Sequence, residues 1–160
     1  MTSNPVHRTT LEEEARNVLE ECRVMAVGVQ ALFGFQLLSI LTPALYDRLD
    51  GGLRALHLGG LVLVLVSMFL LMTPSAYHRL AESRLVTEDF LDAAAGLIGW
   101  AMAALRLGLI VEIYTAARAL GVPAAEATAL AGGLFLLSWT LWSVYPRVSV
   151  MRLAPHAKSD

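Results

Sequence analysis

The charged residues of this chain are bunched, and the gaps between them limit what it can become. No Asp, Glu, Lys or Arg occurs between Arg23 and Asp47, between Arg54 and Arg79, or between Glu126 and Arg147. As a helix rising about 1.5 Å per residue, each gap can cross a hydrocarbon layer roughly 30 Å thick. A fourth stretch, Ala93 to Ala117, reads the same way except for Arg106 and, six residues on, Glu112. Asp92 to Arg106 is too short to span, so either a helix carries Arg106 through the membrane or this segment does not cross. The pattern predicts an all-α polytopic membrane helix bundle with four transmembrane helices, at about 24–46, 56–77, 93–118 and 124–146; three crossings are the fallback.

Composition agrees with that reading. Of 160 residues, 56% are hydrophobic and 16% charged, and the mean hydropathy of +0.59 is too high for a soluble domain of this length. The net charge is −2 and Lys158 is the single lysine, so no basic tract recommends a nucleic-acid partner. The lone cysteine, Cys22, excludes a disulfide within the chain and any multi-cysteine metal site, and beside Arg23 it reads as a quiet thiol rather than an acylation site. Met1 to Glu21 is acidic, and the apolar run after it exceeds signal-peptide length; the first span is therefore expected to stay attached.

Arginine and lysine counts predict the orientation. Arg8, Arg16, Arg23, Arg79, Arg84, Arg147, Arg152 and Lys158 fall on one side of the expected spans, and only Arg48, Arg54 and Arg118 on the other. Both termini are thus expected in the cytoplasm: residues 1–23 as a segment with an acidic amphipathic helix, residues 147–160 as a tail. Tyr46, Tyr77, Trp142 and Tyr145 stand near span ends, where aromatic rings with a polar edge prefer to lie.

Local signals refine the elements. Thr9 or Thr10 with Glu12 or Glu13 suggests a capping box, and Thr87 ahead of Asp89 and Phe90 suggests a cap for the third helix. Leu11, Ala15, Val18, Cys22, Met25, Val29 and Leu32 recur at steps of four and three and lead to Gln36. That stripe is either ordinary packing or the seam of a self-associating or pore-lining helix. Pro74 predicts a kink or an end near the close of the second span. Small residues at Ala95, Gly99 and Ala103, at Gly96, Ala104 and Gly108, and at Ala125, Ala129 and Gly133 suggest close approach of the third and fourth helices to each other or to another copy.

The chemistry rests on the polar residues inside the spans. A central Arg costs roughly 2.5–3.5 kcal/mol on insertion scales, and a Leu offsets only about 0.3–0.6. The third helix should therefore need partners. Six residues rotate a helix by about 600°, so Arg106 and Glu112 lie about 120° apart and cannot pair with each other. Counting residues inward places Gln36 at the depth of Arg106, as its hydrogen-bond partner, and sets Glu112 level with Arg54 and His57, either of which can pair with it. Gln30, Ser39, Ser67, Ser138 and Thr140 read as ordinary interhelical hydrogen-bonding groups. His57, His78, Arg54 and Arg79 are interfacial or pH-sensitive candidates.

No enzyme is expected: paired carboxylates, metal-spaced His/Cys/Asp clusters and phosphate-cradling glycine loops are missing from the pattern, so neither metal nor cofactor is implied.

LEEEAR (Leu11 to Arg16), VQALFGFQL (Val29 to Leu37) and above all LLMTPSAYHRL (Leu70 to Leu80) resemble a family of small bacterial four-helix membrane proteins classed as a domain of unknown function, whose members are sometimes labelled sodium:proton antiporters. The resemblance implies a multi-pass protein of the bacterial cytoplasmic membrane with cytosolic termini. The antiporter label does not follow from the residues, since familiar antiporters place carboxylates at midplane in large inverted-repeat folds and this chain places an arginine there. The expected function is conduction or transport of a small inorganic ion or solute by a homo-oligomer in the lipid bilayer; a non-transporting scaffold, regulatory or sensor subunit is the alternative.

Overall fold

The computed structural model describes residues 5–81 and 87–148. Within them the chain is all-helical: α1 (Pro5–Ile40), a short α2 (Pro43–Tyr46), α3 (Gly51–Ala81), α4 (Glu88–Ala119) and α5 (Ala124–Trp139), which continues into a π-helical turn, Thr140–Val144. Four helices are long and apolar enough to cross a membrane, and the stretch that carries Arg106 is one of them. Arg84 and most of the loop before α4, and the tail beyond residue 148 with Arg152 and Lys158, lie outside the described residues.

Element boundaries depart from the sequence reading where proline and capping compete. The first span was expected to run to residue 46, but α1 ends at Ile40 and α2 begins on Pro43, whose ring disfavours helix in the residue before it. At its other end α1 begins at Pro5, ahead of the expected Thr9/Thr10 cap, so those threonines are interior. Pro74 does not end α3, which runs on to Ala81. Proline is tolerated in membrane helices when neighbours hold the backbone, and here Tyr77 stacks on Phe90 of α4 at 5.9 Å with His78 tilted against the same ring at 5.6 Å. Thr87 caps α4, its hydroxyl accepting from the Phe90 N–H.

α3 and α4 form the spine, with α1 across both and α5 against α4. About 33% of the apolar stretch of α4 is buried within the bundle, against 11% for α1 and for α5. The buried face of α4 carries Ala94, Ala101, Gly108 and Thr115 at steps of seven. Gly108 is there because a Cβ would lie 2.8 Å from Val64 Cγ2 and 3.0 Å from the Gly60 carbonyl, and Gly60 in turn faces Val111 and Glu112. The small-residue stripes named from sequence are therefore only partly used: Gly108 is packed, but Ala95, Gly99, Ala125, Ala129 and Gly133 are exposed, and α5 buries Ala127 and Ala131 instead. The stripe on α1 packs inward up to Val29, with Ala15 against Phe90 and Ala94, and Val29 with Val64, Leu71 and Ala101, while Leu32 is exposed.

Candidate functional site

Two polar clusters lie on different sides of α4. The first joins three helices near the end of the bundle that holds the α1–α3 connection. His57, six residues into α3, is 5% exposed, and its Nδ1 is 2.9 Å from Glu112 Oε2 on α4. Its Nε2 is 3.0 Å from Ser39 Oγ on α1, and that hydroxyl donates to the Gln36 carbonyl at 2.7 Å. A continuous hydrogen-bonded chain thus runs Gln36 carbonyl, Ser39, His57, Glu112.

Helix packing explains why the chain closes. Gly60, one turn beyond His57, has no side chain to fend off α4; a Cβ there would lie 2.7 Å from Glu112 Oε1. Thr115, one turn beyond Glu112, turns its hydroxyl back to the Val111 and Glu112 carbonyls. Beside the chain is a cavity of about 60 Å³ lined by Ser39, Tyr46, Leu49, His57, Glu112 and Thr115, among others. Room for one water takes about 10–15 Å³ by the same kind of measure, so the cavity can hold more than one. Glu112 Oε1 is buried without a protein partner.

Arg54 caps the rim. Its guanidinium lies over the Tyr46 ring at 4.8 Å, Nε donates to the Tyr46 carbonyl at 3.3 Å, and Asp47 is 3.9 Å away. Of the two partners that depth offered Glu112, the structure brings His57 to it and turns Arg54 to the α1–α3 connection.

The second cluster surrounds Arg106, which is 6% exposed. Its expected partner was Gln36, and the structure corrects this: Nη2 donates to Ser143 Oγ at 3.2 Å, while the guanidinium lies 5.0 Å from the Trp139 ring and 5.8 Å from the Trp142 ring. Gln36, on α1, is buried with its Oε1 unpartnered. Equal depth does not imply equal direction, and Arg106 points from α4 toward α5. Trp142, named above for its place near a span end, lies over this buried cation. The π-helical turn, closed by the Tyr145 N–H on the Thr140 carbonyl, holds Trp142 and Ser143 beside Trp139.

The other expected residues stand apart from both clusters. Gln30 and Arg79 line a cleft between α1 and α3 with Cys22 and Arg23. His78 packs on Phe90 with its Nδ1 unpartnered. Sequence reasoning did not single out Ser39, Trp139 or Ser143 as site residues. A count through the tight α4–α5 turn was the available signal for the last two: Arg106 lies thirteen residues before Ala119, and Leu137 thirteen after Ala124, within a turn or two of Trp139 and Ser143. No group of three or more metal-ligating side chains occurs among the described residues.

The model of a family of unknown function, DUF6328, matches residues 6–146 and so includes every residue of both clusters. No curated protein and no solved structure matches the chain.

Proposed function

The chain belongs to this family of unknown function, and we propose that it is an oligomeric membrane protein that takes up and releases a proton at the Ser39–His57–Glu112 chain and couples that exchange to the movement of a small ion or solute. The observation that carries the reading is the buried 2.9 Å contact between His57 and Glu112, continued to Ser39. Ionisable groups within membrane spans are costly to keep, and they mark proton and ion paths more often than packing alone.

Counting protons shows what the chain can do. Ser39 has one hydroxyl proton, and the Gln36 carbonyl can only accept. With that proton given to Gln36, His57 Nε2 must be the donor to Ser39, and the Nδ1–Glu112 contact then contains one further proton, held by either partner. Loss of this proton leaves a carboxylate. The one imidazole proton that remains must pass from Nε2 to Nδ1 to face the carboxylate, a change of tautomer; Nε2 then accepts, and the Ser39 hydroxyl must rotate from Gln36 to His57. Proton release at α4 is thereby tied to a hydrogen-bond exchange on α1.

Serine, histidine and carboxylate in this order also resemble a hydrolytic triad, but the serine is poorly placed for one. An acyl-transfer site needs N–H donors free to hold an oxyanion. Near Ser39 the Leu41 N–H is engaged with the Leu37 carbonyl and the Thr42 N–H with the Ser39 carbonyl. We therefore read the chain as a proton carrier in a protein that is not an enzyme. The arginine distribution supports cytoplasmic termini, and a bacterial inner membrane is what the family resemblance implies.

Proteoliposomes enclosing a pH-sensitive dye test the reading. The wild-type protein is expected to move protons in response to a gradient of sodium, potassium or chloride, and Glu112→Gln and His57→Gln are each expected to reduce the rate at least tenfold with assembly intact. Equal rates for wild type and Glu112→Gln, or no flux with any of these ions, would end it.

A further inference from the structure

The Arg106 cluster borders a cavity of about 350 Å³ between α4 and α5 whose remaining walls include Leu109, Ile110, Leu134, Leu137 and Trp142. That volume lies at the small end of the range for ligand pockets. Leu137 and Leu141, on its α5 side, are 55% and 53% exposed, so the cavity opens sideways to the surroundings of the bundle. Ser138 is the one uncharged polar side chain that lines it.

Arg106 is incompletely satisfied there. More than nine-tenths buried, it has one hydrogen bond, to Ser143, and its Nε is buried with no partner. Neither of the ion pairs among the described residues involves it. The flanking indoles attract a cation through their ring faces but do not neutralise it. A guanidinium is built to be met by a planar anion through its N–H groups; Nε is sealed by protein atoms and Nη2 already donates to Ser143, so Nη1 is the nitrogen left for a carboxylate in the cavity.

We propose that this slot binds a lipophilic monocarboxylate, with the carboxylate on Arg106 and a single medium-length apolar chain along Leu109, Ile110 and Leu137. Small inorganic anions fit poorly because the walls would strip their hydration and replace it with one guanidinium and one hydroxyl. A two-chain lipid would have to leave a chain outside the slot. The π-helical turn supports a binding role independently, since such turns recur at functional sites, and this one positions the two side chains, Trp142 and Ser143, that hold the guanidinium in place. The site rests on the Arg106 geometry alone and stands or falls apart from the His57–Glu112 proton chain.

Binding is read by tryptophan quenching in nanodiscs at alkaline pH, with Trp100→Phe as background so that Trp139 and Trp142 report. The probes are a chain-brominated decanoate and the matching brominated decanol, which differ only in the charged head. The acid is expected to quench saturably and to bind about tenfold more tightly than the alcohol, the scale of a charge-assisted hydrogen-bonded pair. Arg106→Gln should abolish the difference, and Arg106→Lys should keep part of it. Ile110→Phe leaves the cation and fills the slot, so it should weaken the acid even if Arg106→Gln fails to fold. Equal binding of acid and alcohol by the wild type overturns the proposal, including the case in which a carboxylate of a second copy already occupies Arg106. So does a preference for the acid that survives Arg106→Gln or Ile110→Phe undiminished.

Discussion

Arg106 and Glu112 show how a helix distributes two charges it cannot satisfy itself. The 120° between them sends one side chain toward α5 and the other toward α3, and the about 9 Å of rise sets them at different depths. Glu112 meets a titratable partner, His57, whose far nitrogen is held by Ser39. Arg106 meets a hydroxyl and two indoles, none of which can take its charge. The carboxylate therefore has a titratable neighbour, and the guanidinium has none within the described residues. Ser39 decides between proton carrier and nucleophile. Its hydroxyl is engaged with the Gln36 carbonyl, and the backbone donors beside it are taken. Treatment with a fluorophosphonate should leave Ser39 unmodified by mass spectrometry, and an adduct at Ser39 that is lost in His57→Gln would restore the hydrolase reading.

At the scale of helices, the decisive contact is a pair of glycines. Gly60 and Gly108 bring α3 and α4 close enough for Glu112 to reach His57, and the Gly108 position is closed by both a side chain and a backbone carbonyl. Gly108→Ala is expected to lower bundle stability by about 1–3 kcal/mol, the usual cost of forcing extra atoms into a packed contact. Gly28→Ala, where a Cβ meets nothing within 4 Å, should change it by less than about 1 kcal/mol. Denaturant unfolding in micelles compares the two, and equal effects would deny Gly108 its place in the interface. The same glycines mark where sequence reading stops. Three of the spans are legible because charge is costly in hydrocarbon, so gaps between charges outline them directly; the other had to be read through Arg106 and Glu112. Helix faces are less legible: lipid is as apolar as a neighbouring helix, so Ala95 and Gly99 look as suited to packing as Ala101 and Gly108. Depth could be counted from residue numbers, which brought His57 level with Glu112. Direction could not, and Gln36 was matched to an arginine that faces away from it.

Within the bundle α4 is the hub, packed on α3, on α5 and more lightly on α1. The apolar stretches of α1 and α5 are each only 11% buried, and the two polar clusters open on different sides of α4. One copy of this size encloses no wide channel between them. On the proposed function, a transported species would have to pass along a side of α4 or along a surface completed by another copy. The outward small residues Ala95 and Gly99 of α4 offer the close approach that membrane helices use to associate, and a Cβ added at Gly99 meets nothing within the chain. Native mass spectrometry of the protein released from nanodiscs should find more than one copy. Gly99→Leu, which disturbs no contact inside the bundle, should reduce that number while leaving helix content and unfolding midpoint unchanged. If the wild type is monomeric, the oligomer is removed from the proposed function, and a proton carried through Glu112 must then leave by the narrow cavity at Ser39 and Thr115. Substituting Leu for Thr115 would block that exit in a monomer, whereas an oligomer with a path between copies retains another.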